Sequence, residues 1–350
     1  MIRQPHIVFL TPGFPENERD STCIPALQIF IRSFSKVFPG RISVISFQYP
    51  YQRGHYLWNG MDVYSLAGNN RGWKKMVIWH KARKLVENIH QQYPITHLHS
   101  FWLGECALVG QQMATRLKVR HTCTLMGQDA LSGNRYFNKL KPAFTLITLS
   151  NFQNQMVLNN YHIDSLIIPW GIENVYQKTI SKDVDILGVG NLVNEKHFED
   201  FIHIVQRLIT LYPRLQARIV GEGPLMNNLR KKIEQLSLEK NIHLLGILPY
   251  AETQQLIGRA KILLHMSAYE SFGMVFIEAL AAQTWVVCRP VGIAAELGLT
   301  LKVNTNDEAA NVIQEILAEN KRPEAVQFSI EDTVDQYMDL IFKDGKDVCI

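Results

Sequence analysis

The fold and the function of this chain are indicated most clearly by residues 269–280, which read YESFGMVFIEAL. Leu263-Leu264-His265, just before this stretch, has the pattern of a buried strand end, and the apolar run after Gly273 has the pattern of a helix. In open α/β sheets, ligands bind beside such a strand, tight loop and helix. Glu270 in the loop and Glu278 two helical turns later can both reach one extended polar ligand. The helix N-terminus can hold an anion, so the stretch predicts a nucleotide-sugar site.

Strands alternate with helices on both sides of this stretch, which predicts parallel, doubly wound sheets. The alternation stops near residues 168–173, where Pro169 and Gly171 interrupt it, and then starts again. We therefore expect two domains. The predicted strands are 7–10, 42–45, 96–99, 122–125, 144–149, 186–190, 217–220, 242–245, 262–264 and 285–288. The predicted helices include 24–38, 107–117 and 331–342.

The composition is that of a globular protein. The 350 residues are enough for two α/β domains, with 47% hydrophobic and 19% charged residues. No signal peptide and no apolar run of membrane-spanning length is found in this sequence. The cysteines lie far apart and suggest neither a disulfide framework nor a zinc site. We therefore expect a cytoplasmic protein, peripheral on the inner face of the membrane. The cysteines are Cys23, Cys106, Cys123, Cys288 and Cys349.

Charge is distributed unevenly between the two halves of the chain. Residues 1–172 hold 18 Lys and Arg against 8 Asp and Glu, whereas residues 173–350 hold 18 against 24. The first half, at +10, favours an anionic partner. Because no nucleic-acid recognition motif accompanies the basic residues, we expect an anionic membrane surface or a phosphate-bearing acceptor and no nucleic acid.

The basic residues are densest in residues 71–84, which contain six Lys or Arg, two Trp and no acidic residue. In a helix, Trp73, Met76, Val77 and His80 would lie along one side with cations beside them, as in interfacial helices. The same stripe could instead pack against the sheet of the first domain. The sequence leaves both interpretations open.

Residues 269–280 resemble the signature of glycosyltransferase family 4, whose retaining enzymes carry a Glu-x7-Glu motif. Residues 188–196 (GVGNLVNEK), 220–224 (VGEGP) and 245–249 (LGILP) resemble the two glycine loops and the nucleobase loop of the family, in family order. The resemblance implies a GT-B fold of two Rossmann-like domains facing a central cleft. It divides the chain into an acceptor-binding domain 1–170, a nucleotide-sugar-binding domain 171–330, and a C-terminal helix 331–350 that crosses back to the first domain.

The resemblance also assigns site residues. It implies catalytic roles for Glu270, Lys196 and Asp129, and it requires no metal and no cofactor besides a nucleotide diphosphate sugar, UDP-sugar rather than GDP-sugar. The donor-binding residues would be Gly190, Asn191, Lys196, Gly221, Pro249, Glu270, Ser271, Phe272, Gly273, Met274, Val275 and Glu278. The acceptor side would include Gly13, His99, Met126 and Gly127.

Two positions depart from the family pattern. Asn191 stands where Arg is usual, so a charge and a bidentate fork to phosphate are lost. Met126 stands where many members have His, and a thioether cannot usefully exchange a proton. Asp129 suits either an acceptor hydroxyl or a loop cap, and Lys196 could also be an ordinary surface lysine.

The expected function is transfer of a hexose-type sugar, with retention, to a glycan or lipid-linked acceptor in cell-surface polysaccharide or glycolipid synthesis. One alternative is another GT-B activity, a nucleotide-sugar epimerase or a phosphorylase. A second is a non-catalytic relative that binds a partner glycosyltransferase.

Overall fold

The computed structural model describes residues 4–140, 144–173, 181–319, 321–326 and 328–342. The chain forms two compact units. Unit 1 consists of Met1–Gly171 and Ile330–Ile350, and unit 2 is the continuous segment Ile172–Ser329. The predicted C-terminal helix starts at Ile330 and ends at Phe342. Positions 343–350 of that prediction, with Cys349, lie outside the described residues.

Unit 1 is built on an eight-stranded sheet in the order β3-β4-β2-β1-β5-β6-β7-β8. All neighbours are parallel except the pair β3 and β4, which forms an antiparallel hairpin at one edge. The strands are β1 (His6–Gly13), β2 (Arg41–Tyr49), β3 (Gly54–Trp58), β4 (Met61–Ser65), β5 (His97–Phe101), β6 (Arg120–Thr124), β7 (Thr145–Thr148) and β8 (Leu166–Ile167).

Helices cover both faces of this sheet and bury its central strands on both sides. On one face, the aromatic ring of Phe30 packs against Trp170 and Tyr337, at centroid distances of 5.1 and 4.7 Å. The C-terminal helix thus completes the core of the unit in which the chain begins. The helices are α1 (Pro25–Val37), α2 (Lys75–Gln92), α3 (Glu105–Leu117), α4 (Arg135–Leu140), α5 (Asn151–Tyr161) and, after unit 2, α11 (Ile330–Phe342).

Unit 2 has a six-stranded, fully parallel sheet in the order β11-β10-β9-β12-β13-β14. The strands are β9 (Val184–Val189), β10 (Ala217–Val220), β11 (Ile242–Gly246), β12 (Ala260–His265), β13 (Trp285–Cys288) and β14 (Leu301–Lys302). The helices are α6 (Phe198–Leu208), α7 (Met226–Gln235), α8 (Tyr250–Arg259), α9 (Met274–Ala281) and α10 (Asn306–Glu319).

Helix α6 shows why these helices pack on the sheet. Phe198, Phe201, Ile202, Val205 and Leu208 recur at helical spacing and are all buried. Each such side chain contributes about 1.5–3 kcal/mol of transfer free energy.

The position of ligand sites follows from the strand order. In unit 2 the chain moves from β9 to β10 on one side and later returns to β12 on the other, so the sheet has a topological switch point between β9 and β12. Unit 1 has the corresponding switch point between β1 and β5. Loops that follow these strands diverge and leave a crevice at the carboxyl edge, where doubly wound sheets bind their ligands.

All the strands predicted from the sequence are present, with ends shifted by a few residues. The hairpin β3–β4 and the short strands β8 and β14 were missed. Among the helices of the described residues, none combines the length and the apolar composition that a membrane span requires.

Candidate functional site

The loops at the carboxyl edge of the unit 2 sheet are hydrogen-bonded to one another. The amide of Gly190, after β9, donates to the carbonyl of Val220 at 3.0 Å, and Gly221 donates to Gly246 at 2.9 Å. On the other side of the switch point, Ala268 donates to the carbonyl of Glu195 at 2.9 Å. The loops after β9, β10, β11 and β12 therefore form one continuous rim.

Two glycines in this rim have backbones that other residues cannot readily adopt. Gly221 has φ of 141°, and a Cβ there would lie 1.9 Å from the carbonyl oxygen of Gly190. Gly273 has φ of 87°, and its Cβ would meet the ring of Phe276 at 2.4 Å. These glycines allow two close backbone approaches, and Gly273 places the start of α9 directly behind the loop that carries Glu270.

Three side chains converge at the switch point. The ammonium of Lys196 donates to Oε1 of Glu270, and Nε2 of His265 lies 2.6 Å from the same oxygen. Lys196 belongs to a 3₁₀ turn, Asn194–Lys196, in the loop after β9, whereas His265 is the last residue of β12. The sequence prediction placed Lys196 and Glu270 around one ligand, and the structure brings them into direct contact.

Glu270 is held in its ionised form. Burial on its own would raise the pKa of this carboxyl group, but the hydrogen bond with His265 and the charge of Lys196 lower it to about 2. The carboxylate therefore stays charged throughout the neutral range. It can stabilise a nearby positive charge, but it holds no proton to donate.

The pKa of Glu278, on α9, is shifted in the opposite direction. Its side chain is buried, and burial raises the pKa of the carboxyl group, although hydrogen bonds with Gln254 and Tyr250 oppose this. The hydroxyl of Tyr250 donates to Oε1 at 3.0 Å. A buried carboxylate with two neutral partners keeps acceptor capacity for hydroxyl groups of a ligand.

The other predicted donor residues lie along the same rim. Asn191 and Pro249 are exposed, in the loop after β9 and immediately before α8. Ser271 and Phe272 form the turn between Glu270 and Gly273, with Phe272 buried beneath it. Met274 and Val275 are the first two residues of α9 and are half-buried.

In unit 1, the predicted residues Gly13, Met126, Gly127 and Asp129 lie at or after the ends of β1 and β6. The carboxylate of Asp129 accepts hydrogen bonds from the amides of Leu103 at 2.8 Å, Gly127 at 2.8 Å and Met126 at 3.3 Å. Burial raises the pKa of Asp129, and these amides oppose the rise. The geometry supports the loop-cap interpretation, since the carboxylate joins the loops after β5 and β6.

His99 does not lie on the acceptor side, contrary to the sequence prediction. Strand β5 continues to Phe101, and His99 is 1% exposed in the core. Its Nδ1 lies 2.6 Å from the hydroxyl of Thr122, and its Nε2 lies 3.2 Å from that of Thr124. Burial, together with the neighbouring His97 and His121, lowers the pKa of His99 well below its usual value. The ring is a neutral core group.

The sequence interpretation missed His265 and Tyr250 as functional residues. His265 could have been recognised by its position at the carboxyl end of a central strand, where ligand-contacting residues concentrate. Tyr250 offers no such signal, because its contact with Glu278 depends on how α8 and α9 pack. Among the residues that the structure describes, no group of three or more His, Cys, Asp or Glu is placed to hold a metal ion.

Residues 173–329 match the family model described as glycosyl transferases group 1. The GPI3 subunit of phosphatidylinositol N-acetylglucosaminyltransferase from Saccharomyces cerevisiae is 24% identical over 161 residues, 46% of this chain and 35% of that protein. The N-acetylgalactosamine-N,N'-diacetylbacillosaminyl-diphospho-undecaprenol 4-alpha-N-acetylgalactosaminyltransferase of Campylobacter jejuni is 31% identical over 163 residues, 43% of each chain. This chain thus spans less than half the length of either relative.

Solved structures extend the likeness to the whole chain. Sucrose-phosphate synthase from Thermosynechococcus elongatus superimposes with a TM-score of 0.75 and 17% identity, covering 98% of both chains. Anabaena HepE in complex with UDP and glucose has a TM-score of 0.69 and 16% identity, covering 97% of this chain and 95% of its own. These neighbours are GT-B proteins, which confirms the predicted fold class. The domain at residues 173–329 is a glycosyl transferases group 1 domain.

Proposed function

From the group 1 domain and the geometry at its switch point, we propose that the chain is a retaining glycosyltransferase that takes a hexose-type sugar from a nucleotide diphosphate sugar. The observation that carries the proposal is the cluster of Lys196, Glu270 and His265 at the carboxyl edge of unit 2, beside the N-terminus of α9. A cation and a helix N-terminus suit a diphosphate, and the carboxylates suit sugar hydroxyls.

In the structure, the ammonium of Lys196 pairs with Glu270. In the proposed donor complex, this ammonium instead donates hydrogen bonds to the diphosphate. Charge-assisted hydrogen bonds of this kind contribute about 1.5–3 kcal/mol each. The loop at Asn191 adds a neutral donor where a second cation is usual in the family. Lys196 and the first amides of α9 then carry the charge that develops on the leaving diphosphate, and no metal is required.

Glu278 and Glu270 have different tasks in this proposal. Glu278, buried beside Tyr250, accepts hydrogen bonds from the ribose hydroxyls of the nucleotide. Glu270 faces the sugar, and its low pKa keeps it anionic. An anion there stabilises the positive charge that develops on the sugar ring as the glycosidic bond to phosphate breaks. Departure and attack on the same sugar face need no strong protein base, so Met126 is compatible with transfer.

The acceptor is proposed to be a glycan or a lipid-linked molecule bound on the unit 1 side, in cell-surface polysaccharide or glycolipid synthesis. The loops at Gly13, Met126 and Gly127, held in place by Asp129, are its proposed contacts. The yeast and Campylobacter relatives act on lipids, a phosphatidylinositol and a diphospho-undecaprenol, as their names state. A lipid-linked acceptor would place the protein at the inner face of an anionic membrane.

The donor is tested by thermal shift with UDP-, GDP- and ADP-sugars, with UDP-sugars expected to stabilise most. A ligand at 100 times its Kd raises the free energy of unfolding by about 2.7 kcal/mol. The reaction is tested by release of nucleoside diphosphate, which should require an added acceptor and survive EDTA. Conversion of the donor into an epimeric nucleotide sugar, without net release of nucleoside diphosphate, would favour an epimerase. Absence of both donor binding and donor hydrolysis would favour a non-catalytic partner protein.

A further inference from the structure

A basic cavity of about 550 Å³ lies in unit 1 between helix α2 and the β3–β4 hairpin. Its cationic side chains are Arg53 on the hairpin side and Lys81 and Lys84 on the helix, and the imidazole rings of His55 and His80 also line it. No acidic residue is among the described residues that line it. The cavity therefore suits a phosphate group of an anionic ligand.

An exposed apolar stripe continues from this cavity along the first turn of α2 and into the 3₁₀ turn Gly72–Lys74 that precedes it. The exposed fractions are 74% for Trp73, 65% for Met76 and 49% for Val77. Residues three or four positions apart lie next to each other on a helix, so Met76 and Val77 adjoin His80 and Lys81. The stripe and the cavity form one surface, which we call the α2 surface.

The stripe does not pack against the unit 1 sheet. Another set of α2 side chains occupies that position, including Ile78, Trp79, Ala82 and Val86, all of them buried. Of the two interpretations open at the sequence level, packing of Trp73, Met76 and Val77 on the sheet is thus excluded. These side chains face water in the isolated chain.

We propose that the α2 surface docks on an anionic phospholipid membrane, with a lipid headgroup phosphate in the basic cavity and Trp73, Met76 and Val77 in the interfacial layer. A free phosphate ligand would need the cavity alone. Exposed Trp, Met and Val beside cations are the pattern of an interfacial helix, in which apolar contact and attraction to anionic lipids act together. Residues 71–84, with six Lys or Arg and no acidic residue, have the matching charge.

The location of the surface fits a membrane-bound acceptor, and this part of the argument rests on the proposed function. Ser65, which lines the cavity, ends β4 at the carboxyl edge of the unit 1 sheet. Strand β2 separates β4 from β1, whose carboxyl end carries Gly13. At about 4.8 Å per strand spacing, the carboxyl ends of β4, beside the cavity, and of β1, at the proposed acceptor loop, are about 10 Å apart across the sheet. A membrane that touches the α2 surface would lie near that loop.

The test is co-sedimentation of the full chain with phosphatidylcholine vesicles, with and without phosphatidylglycerol, over a salt series. We expect binding to the anionic vesicles at low salt, weak binding to the neutral ones, and loss of the difference as salt screens the cations. Lys81→Glu with Lys84→Glu should weaken binding to anionic vesicles by about 25-fold or more, since each cation near an anionic surface contributes about fivefold. Trp73→Ser should weaken binding with an unchanged salt slope.

The matched controls lie in unit 2. Arg230→Glu with Lys231→Glu makes the same charge change on exposed positions of α7, and Leu211→Ser removes a 62% exposed apolar side chain. Both should bind vesicles like the parent. Equal binding to neutral and anionic vesicles, or equal losses in test and control variants, would overturn the proposal. Binding of glycerol phosphate in the cavity without any binding to vesicles would also overturn the proposal. UDP-sugar binding without vesicles, measured alongside, reports on the proposed function separately.

Discussion

The ammonium of Lys196 carries the most direct consequence of the proposed donor site. Lys196→Ala should weaken UDP binding and slow transfer by about 10-fold or more, because a charge-assisted bond of about 1.5 kcal/mol to the diphosphate is lost. Isothermal titration with UDP measures the first effect and steady-state kinetics the second. The matched control is Lys261→Ala, which removes another partly exposed ion pair of unit 2. There, the ammonium of Lys261 lies 2.8 Å from Oδ1 of Asp185. If both lysine variants bind UDP equally well, the diphosphate does not lie at Lys196.

Glu278 leads to a prediction that separates stability from function. Because burial raises the pKa of Glu278 in the folded protein, the folded state binds more protons than the unfolded state just above the usual carboxyl pKa. The free energy of unfolding therefore falls as pH rises through this range. Glu278→Gln removes the ionisation and keeps an acceptor for the Tyr250 hydroxyl.

The variant Glu278→Gln should gain in Tm relative to the parent as the pH is raised from 5 to 8, while the KM for the donor rises by about 10-fold through loss of a charged acceptor. Calorimetry across pH and donor kinetics provide the two readouts. If the difference in Tm between the variant and the parent stayed constant across pH, the ionisation of Glu278 would not contribute to the pH dependence of stability.

Individual residues differed in how far the sequence could predict them. Glu270 and Glu278 could be grouped because a strand, a loop and a helix place them by local geometry. The contact of His265 with Glu270 depends on the conformation of the intervening loop, which no local pattern specifies. His99 was misplaced because β5 extends two residues further, and this moves its side chain from the strand end into the core.

At the scale of elements, the glycine loops of unit 2 provide a test of the rim. Gly221→Ala should destabilise unit 2 by about 1–3 kcal/mol and reduce donor affinity, because a methyl group at this φ would collide with the carbonyl of Gly190. Gly246→Ala is the control: its φ is also positive, at 71°, but no atom lies within 4 Å of the added Cβ. Chemical denaturation and UDP titration of both variants measure these effects. A larger loss of stability or of UDP affinity in Gly246→Ala than in Gly221→Ala would contradict the rim model.

The strands predicted correctly include short ones, such as β10 and β13, whose four residues are mostly apolar and buried. The hairpin β3–β4 was missed because β3 is largely exposed and neither strand has a continuous aliphatic run. Its signal was nevertheless present, since Asn59-Gly60 joins the strands with φ of 45° and 77°, as in a tight hairpin turn. The omission mattered, because this hairpin forms one wall of the basic cavity.

At the scale of the whole molecule, helix α11 belongs to unit 1, so a change in α11 should destabilise unit 1 and leave unit 2 unaffected. The Tyr337 hydroxyl is hydrogen-bonded to Thr124 at 2.7 Å and accepts from Trp170 at 3.2 Å, within the unit 1 core. Tyr337→Ala should destabilise unit 1 by about 3–5 kcal/mol. Hydrogen exchange resolved by peptide should show faster exchange across residues 4–140 and unchanged exchange across unit 2.

Tyr337→Phe keeps the ring packing and removes only the hydroxyl, so we expect a smaller loss, about 1 kcal/mol. Equal losses for the two variants would mean that the ring contributes little.

The alternation of strands and helices starts again after residues 168–173, and this was enough to predict two domains from the sequence. Attachment of the last helix to the first unit came only from the family resemblance, since periodicity does not say which sheet a helix covers.

The discontinuity of unit 1 has a consequence for how the protein is made. The ribosome synthesises residues 172–329 before α11, so all of unit 2 has been made while unit 1 still lacks its last helix. During that interval, Phe30 and Trp170 lack the aromatic partner that Tyr337 supplies. The segment synthesised second can therefore finish folding first. Until α11 is added, unit 1 exposes apolar side chains of its incomplete core, and exposed apolar surface of this kind promotes aggregation.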